Sequence, residues 1–80
     1  LIGISTSGNS KNVIEAFKCA QSKGSLIIAL LGNTGGLCMQ YADYSYVVRS
    51  TESARIQEVH LLIEHLICEF VEKWFVANEK

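Results

Sequence analysis

An α/β architecture, an open parallel sheet flanked by helices, is what this sequence predicts, and three features carry the prediction. The apolar run Leu26 to Leu31 reads as a strand covered on both faces, as strands of parallel sheets are. Apolar residues recur at helical spacing on either side of it. Strand-like and helix-like stretches then alternate along the chain, which is the order an open parallel sheet requires.

The elements follow in sequence. Leu1 to Ile4 is apolar and runs into a cluster of Ser, Gly and Asn, as a buried strand runs into a loop. Ser10 is placed to cap a helix in which Val13, Ile14, Phe17 and Ala20 recur at helical spacing, and Gly24 is its natural stop. After the strand Leu26–Leu31, Gly32 to Gly36 reads as a loop and Leu37 to Ala42 as one or two helical turns. Tyr44 to Val48, aromatic and β-branched, predicts a third strand. Ser50 to Ser53 is a polar turn that caps a last helix, Ala54 to about Phe75. Three strands make a poor α/β sheet, and the chain opens on Leu1-Ile2-Gly3-Ile4 as if inside a buried strand, so further strands are expected upstream.

In that last helix Ile56, Val59, Ile63, Leu66, Phe70 and Trp74 step by three or four, and Leu62, Ile67 and Val71 widen the stripe. Such a band is wide enough to bury against the sheet and a neighbouring subunit at once. His60 falls at its edge. His65 falls nearly opposite, beside Glu58, Glu69 and Glu72.

Composition bounds the function classes. Eighty residues, 49% hydrophobic and without Pro, suit one small domain spanning 1–80 and not a disordered segment. The longest apolar run is far short of the roughly 20 residues a membrane-spanning helix needs, so no membrane partner is expected. Seven Lys and Arg against eight Asp and Glu leave a net charge of −1, without the basic stripe of a nucleic-acid binder. Cys19, Cys38 and Cys68 are odd in number and form no CxxC pair. They predict buried apolar fillers in a reducing compartment.

The segment Ser5-Thr6-Ser7-Gly8-Asn9-Ser10 carries the chemistry. It lies between a strand and a helix start, where unpaired N–H groups and the positive dipole end favour an anion. Its hydroxyls add donors, and Gly8 lets the backbone turn so that N–H groups converge. It lacks the Lys of a P-loop and a Gly-x-Gly-x-x-Gly fingerprint, so a single phosphate suits it better than a nucleotide. On physics alone the same residues read equally as a polar turn before a capped helix.

Gly3-Ile4-Ser5-Thr6-Ser7-Gly8-Asn9-Ser10 behind a hydrophobic strand resembles the signature of the SIS (sugar isomerase) family, whose sheet is flavodoxin- or Rossmann-like. Ala54-Arg55-Ile56-Gln57-Glu58-Val59-His60, continued to Glu69, and the Gly35-Gly36 loop narrow the resemblance to the phosphoheptose isomerases. It covers essentially the whole chain, as the C-terminal part of a single SIS domain. The resemblance implies aldose–ketose isomerisation of sedoheptulose 7-phosphate to D-glycero-D-manno-heptose 7-phosphate, for bacterial lipopolysaccharide, by a cytoplasmic homotetramer. It further implies that Ser5, Thr6, Ser7 and Ser10 hold the sugar phosphate and that Gln57 contacts substrate and metal. His65 becomes zinc ligand and acid/base histidine. Without the family, His65 on a Glu-rich helix face reads as a solvated surface residue.

The family's other zinc ligands and catalytic Glu lie upstream of this sequence, so the chain alone is expected to be inactive. Ala54 stands where some members carry Asp. Gln57 and His65, eight residues apart, are separated by roughly 12 Å of helical rise, too far for one zinc with ligands at about 2 Å. Either Gln57 precedes the regular helix or the site draws on two subunits, and the wide apolar stripe favours the second. A non-catalytic phosphosugar-binding or replication-initiator-binding SIS protein is the alternative function, and a hexose phosphate isomerase a third. His65 favours the enzyme.

Overall fold

The computed structural model describes residues 1–78. It contains three parallel strands, β1 (Ile2–Ser5), β2 (Ile28–Gly32) and β3 (Tyr44–Val48), in the order β1-β2-β3. Helix α1 (Lys11–Ser22) joins β1 to β2, a short 3₁₀ helix (Leu37–Tyr41) joins β2 to β3, and β3 leads into the long helix α2 (Ser53–Asn78). Ile4 pairs with Leu30 and Leu30 with Tyr46, so the strands run in step. The open parallel α/β sheet read from the sequence is the observed fold.

Alternation along the strands places Gly3, Ser5, Ala29, Leu31 and Val47 on one face and Ile2, Ile4, Ile28, Leu30, Tyr44 and Tyr46 on the other. Helix α1 covers the first face. Phe17 and Ala20 pack there with Ile27, Ala29, Leu31 and Cys38, bordered by Val13, Ile14, Tyr41 and Val47. Helix α2 lies on the second face, where it rests chiefly on β2. Ile2, Ile4, Tyr44 and Tyr46 remain exposed on that face.

Several expectations are corrected. The second strand begins at Ile28 and not Leu26, because Ile27 turns its N–H to the Asp43 carboxylate at 2.8 Å and its carbonyl to Asp43 N–H at 2.9 Å. Ser10 occupies the N-cap position of α1, but its hydroxyl makes no capping bond. Cys38 is buried as expected, whereas Cys19 and Cys68 are exposed. Helix α2 starts at Ser53 and runs to Asn78, which places Gln57 inside the regular helix. Its apolar stripe is not buried along its length. Only Ile56 and His60 are buried, and Phe70 is 73% exposed. His60, expected at the band's edge, lies wholly inside. None of the helices described is long and apolar enough to cross a membrane.

Candidate functional site

The carboxyl ends of β1 and β2 and the first turns of α1 and α2 meet at one edge of the sheet, where open α/β sheets bind ligands. The serine loop leaves β1 there, and Ser5 is its hub. The Ser5 hydroxyl donates to Ser10 Oγ at 2.8 Å and accepts from the N–H of Gly8 at 3.0 Å and of Ser10 at 3.3 Å. Ser7 Oγ lies 3.5 Å from Ser5 Oγ and accepts the Asn9 N–H at 3.0 Å. A hydroxyl has one proton and two lone pairs, so Ser5, buried, is fully committed to shaping the loop. Thr6 and Ser10 are half-buried and Ser7 is exposed. The N–H groups of Lys11, Asn12 and Val13 form the first turn of α1, which has no intrahelical acceptors for them. Their dipole end favours an anion at this point.

A second loop clamps the first, and sequence reasoning missed how. Gly8 (φ 75°) and Gly36 (φ 59°) meet backbone to backbone, so that a Cβ on Gly8 would collide with the Gly35 carbonyl. Cys38 N–H donates to the Gly8 carbonyl at 2.8 Å, and Leu37 N–H to Asn9 Oδ1 at 2.9 Å. Asn33, itself left-handed at φ 54°, donates from Nδ2 to the Thr6 carbonyl at 2.9 Å. The Gly35-Gly36 pair was the visible signal for a tight approach. Nothing in the sequence said which backbone it approaches.

Beneath the loop lies the Cys38 thiol. Burial pushes its pKa up from the ordinary 9.0, against smaller opposing contributions from the Ser5 hydroxyl and from backbone groups at Ser10 and Cys38. It is a protonated filler at neutral pH and not a nucleophile.

Gln57 and His65 are both exposed on α2 and make no hydrogen bond to the serine loop. Helical geometry explains the separation. Ile56 and His60 define the side of α2 that faces the sheet, and from that direction Gln57 is turned about 80° and His65 about 160°. Ser5, Ser7 and Ser10 are brought together, whereas His65 points away from the sheet of its own copy. Gln57 and His65 therefore do not form a zinc site within one copy. Among the described residues no group of three His, Cys, Asp or Glu side chains is placed to hold a metal ion.

No protein-family model matches the chain. It is 54% identical over 72 residues to a phosphoheptose isomerase of Sulfurimonas denitrificans, covering 90% of this chain and 37% of that protein. A phosphoheptose isomerase of Synechocystis is 48% identical over 79 residues, 99% of this chain and 41% of that protein. Among solved structures, a phosphoheptose isomerase from Neisseria gonorrhoeae matches with a TM-score of 0.84 and 44% identity, over 89% of this chain and 41% of that one. One from Francisella tularensis matches with a TM-score of 0.85 and 36% identity. The chain thus spans about two fifths of the length of the relatives it matches.

Proposed function

We propose, from the premise that this chain is similar to phosphoheptose isomerases over nearly all its own length and two fifths of theirs, that it supplies the phosphate grip and the acid/base histidine of such an enzyme. The substrate class is a sugar phosphate, here sedoheptulose 7-phosphate, and the product D-glycero-D-manno-heptose 7-phosphate. The product feeds lipopolysaccharide heptose synthesis in the cytoplasm.

The observation that carries the reading is the serine loop itself. Ser5 and the Gly8–Gly36 contact hold it in shape in advance, which supports assigning Thr6, Ser7, Ser10 and the first N–H groups of α1 to the phosphate. Preorganised donors of this kind cost no reordering when the phosphate arrives. His65 then serves as the base that takes a proton from C1 and returns one to C2 through an enediol. An imidazole ring nitrogen can accept a proton and give it back.

His65 of one copy faces away from its own sheet, so the complete site combines copies. The exposed apolar surface of α2, with Leu62, Leu66, Phe70, Val71 and Trp74, supplies the contact between them. A homotetramer satisfies this arrangement. Zinc enters the proposal only as a group whose ligand set is completed outside a single copy of this chain, with His65 and Gln57 as candidate contributors. The acid/base step above is assigned to protein groups alone.

The test uses the full-length protein, wild type and His65→Ala, with sedoheptulose 7-phosphate. Turnover that drops by roughly 10³-fold in the variant while sugar-phosphate binding stays within about threefold is the expected result. Wild-type protein that binds the sugar phosphate without converting it overturns the enzyme reading and leaves a phosphosugar-binding regulator.

A further inference from the structure

Helix α2 carries the two side chains that the proposed chemistry needs beyond the serine loop, and Ile56 and His60 are its buried residues. Ile56 is an apolar wedge against the Gly32 end of β2. A wedge opposes withdrawal but is non-directional, and it tolerates small rotations of the helix. His60 is different in kind. It is 1% exposed, and its Nε2 lies 2.7 Å from the Leu31 carbonyl oxygen. A carbonyl only accepts, so Nε2 carries the proton and donates it. Nδ1 is then a buried acceptor with no hydrogen-bond partner among the described residues. A leucine in that place would avoid the desolvation of both ring nitrogens. It would also lack any directional bond to the sheet.

We propose that His60 is a positioning residue for the isomerisation: its bond to the end of β2 fixes the rotation and axial placement of α2, and thereby where Gln57 and His65 stand. The proposal rests on the isomerase reading and deepens it. Gln57 lies about 4.5 Å before His60 along the axis and His65 about 7.5 Å after it. A rotation of α2 by about 20° would carry a side-chain tip, some 5–6 Å from the axis, through about 2 Å. Misplacement by about 1 Å can cost a hundredfold in rate. A wedge alone leaves that freedom, and a hydrogen bond between the helix and a strand removes it. The serine loop is held by its own contacts, so phosphate binding should not depend on His60.

The experiment compares full-length wild type, His60→Leu and His60→Gln. Leucine keeps the volume and removes the donor, whereas glutamine returns an N–H near the place of Nε2. His60→Leu should lower kcat roughly 10- to 100-fold with KM for the sugar phosphate within about threefold, and His60→Gln should recover kcat to within about fivefold of wild type. A kcat within twofold of wild type in a folded His60→Leu protein overturns the proposal, as does equal loss in the leucine and glutamine variants. Should a variant fail to fold, nitrogen NMR of the wild-type ring decides. A slowly exchanging Nε2–H coupled to the Leu31 carbonyl supports the anchor, and a ring protonated on Nδ1 overturns it. If wild type binds the sugar phosphate without turnover, the isomerase reading fails separately and the NMR result judges the anchor by itself.

Discussion

Gly8 holds a φ of 75° with its α-carbon pressed against the backbone of Gly35 and Gly36. Two penalties would fall on any side chain there. The left-handed conformation costs an L-residue about 1–2 kcal/mol. The collision is with backbone, which cannot move aside as a flexible side chain would. Gly8→Ala should therefore separate the two loops, and with them the N–H groups and hydroxyls that converge on phosphate. In the full-length protein, calorimetry should show sugar-phosphate Kd rising more than about tenfold, a loss of at least about 1.4 kcal/mol. An unchanged Kd would mean that the clamp does not shape the site. The density of hydroxyls between Ser5 and Ser10 was legible in the sequence because it is local. The division of labour among them was not. Ser5 became the hub only because Ser10, five residues on, folds back within 2.8 Å of it, while Asn9 and Gly8 are held by Leu37 and Cys38 of a distant loop.

Helix α2 divides at about its second turn. Up to His60 it is bound to the sheet; beyond, Leu62, Leu66, Phe70, Val71, Trp74 and Phe75 are exposed, with the Trp74 and Phe75 rings edge to face at 5.3 Å. The ion pairs Arg55–Glu58 at 2.9 Å and Lys73–Glu69 at 3.1 Å are solvent-exposed and add only about 0.3–0.5 kcal/mol each. An exposed apolar face of this extent is what a helix presents to other helices. The sequence showed the stripe, its spacing and the helix's existence, since all three are periodic and local. It could not show that so little of the stripe meets the sheet of its own copy, because that depends on where β2 ends beneath it. It likewise placed His60 at the stripe's edge, when the carbonyl of Leu31 draws the ring fully inside. Introducing charge into the exposed half tests the assembly. Phe70→Glu with Trp74→Glu in the full-length protein should shift sedimentation to a smaller species and reduce turnover at least about tenfold, with the serine loop intact. A variant that keeps both its mass in solution and its activity would show that α2 does not join copies.

At the scale of the whole molecule, much apolar surface is open. Its extents are 44 × 31 × 16 Å, and the long axis is largely that of α2. The solvent-accessible surface is 5675 Å² for 8.8 kDa, whereas a compact monomer of that mass exposes about 4,800 Å². The excess is about 900 Å². Large apolar side chains are exposed on the face of the sheet bearing Ile2, Ile4, Tyr44 and Tyr46 and along the distal half of α2. Among the described residues the buried core is small: eight apolar residues, of which Phe17, Ile27, Leu30, Leu31 and Ile56 are large and wholly enclosed. A chain of this size buries too little to offset its conformational entropy comfortably. The 80-residue chain expressed by itself should therefore bind a hydrophobic dye such as ANS and unfold with weak cooperativity below about 45 °C, the lower end for mesophilic domains. It should show no turnover of sedoheptulose 7-phosphate, and its apparent stability should rise with protein concentration as α2 faces associate. Circular dichroism melts over a hundredfold range of concentration read all of this at once. A sharp, concentration-independent transition above about 60 °C would mean that the exposed sheet face and the free half of α2 need no cover, and the case for a shared site would lose its energetic basis.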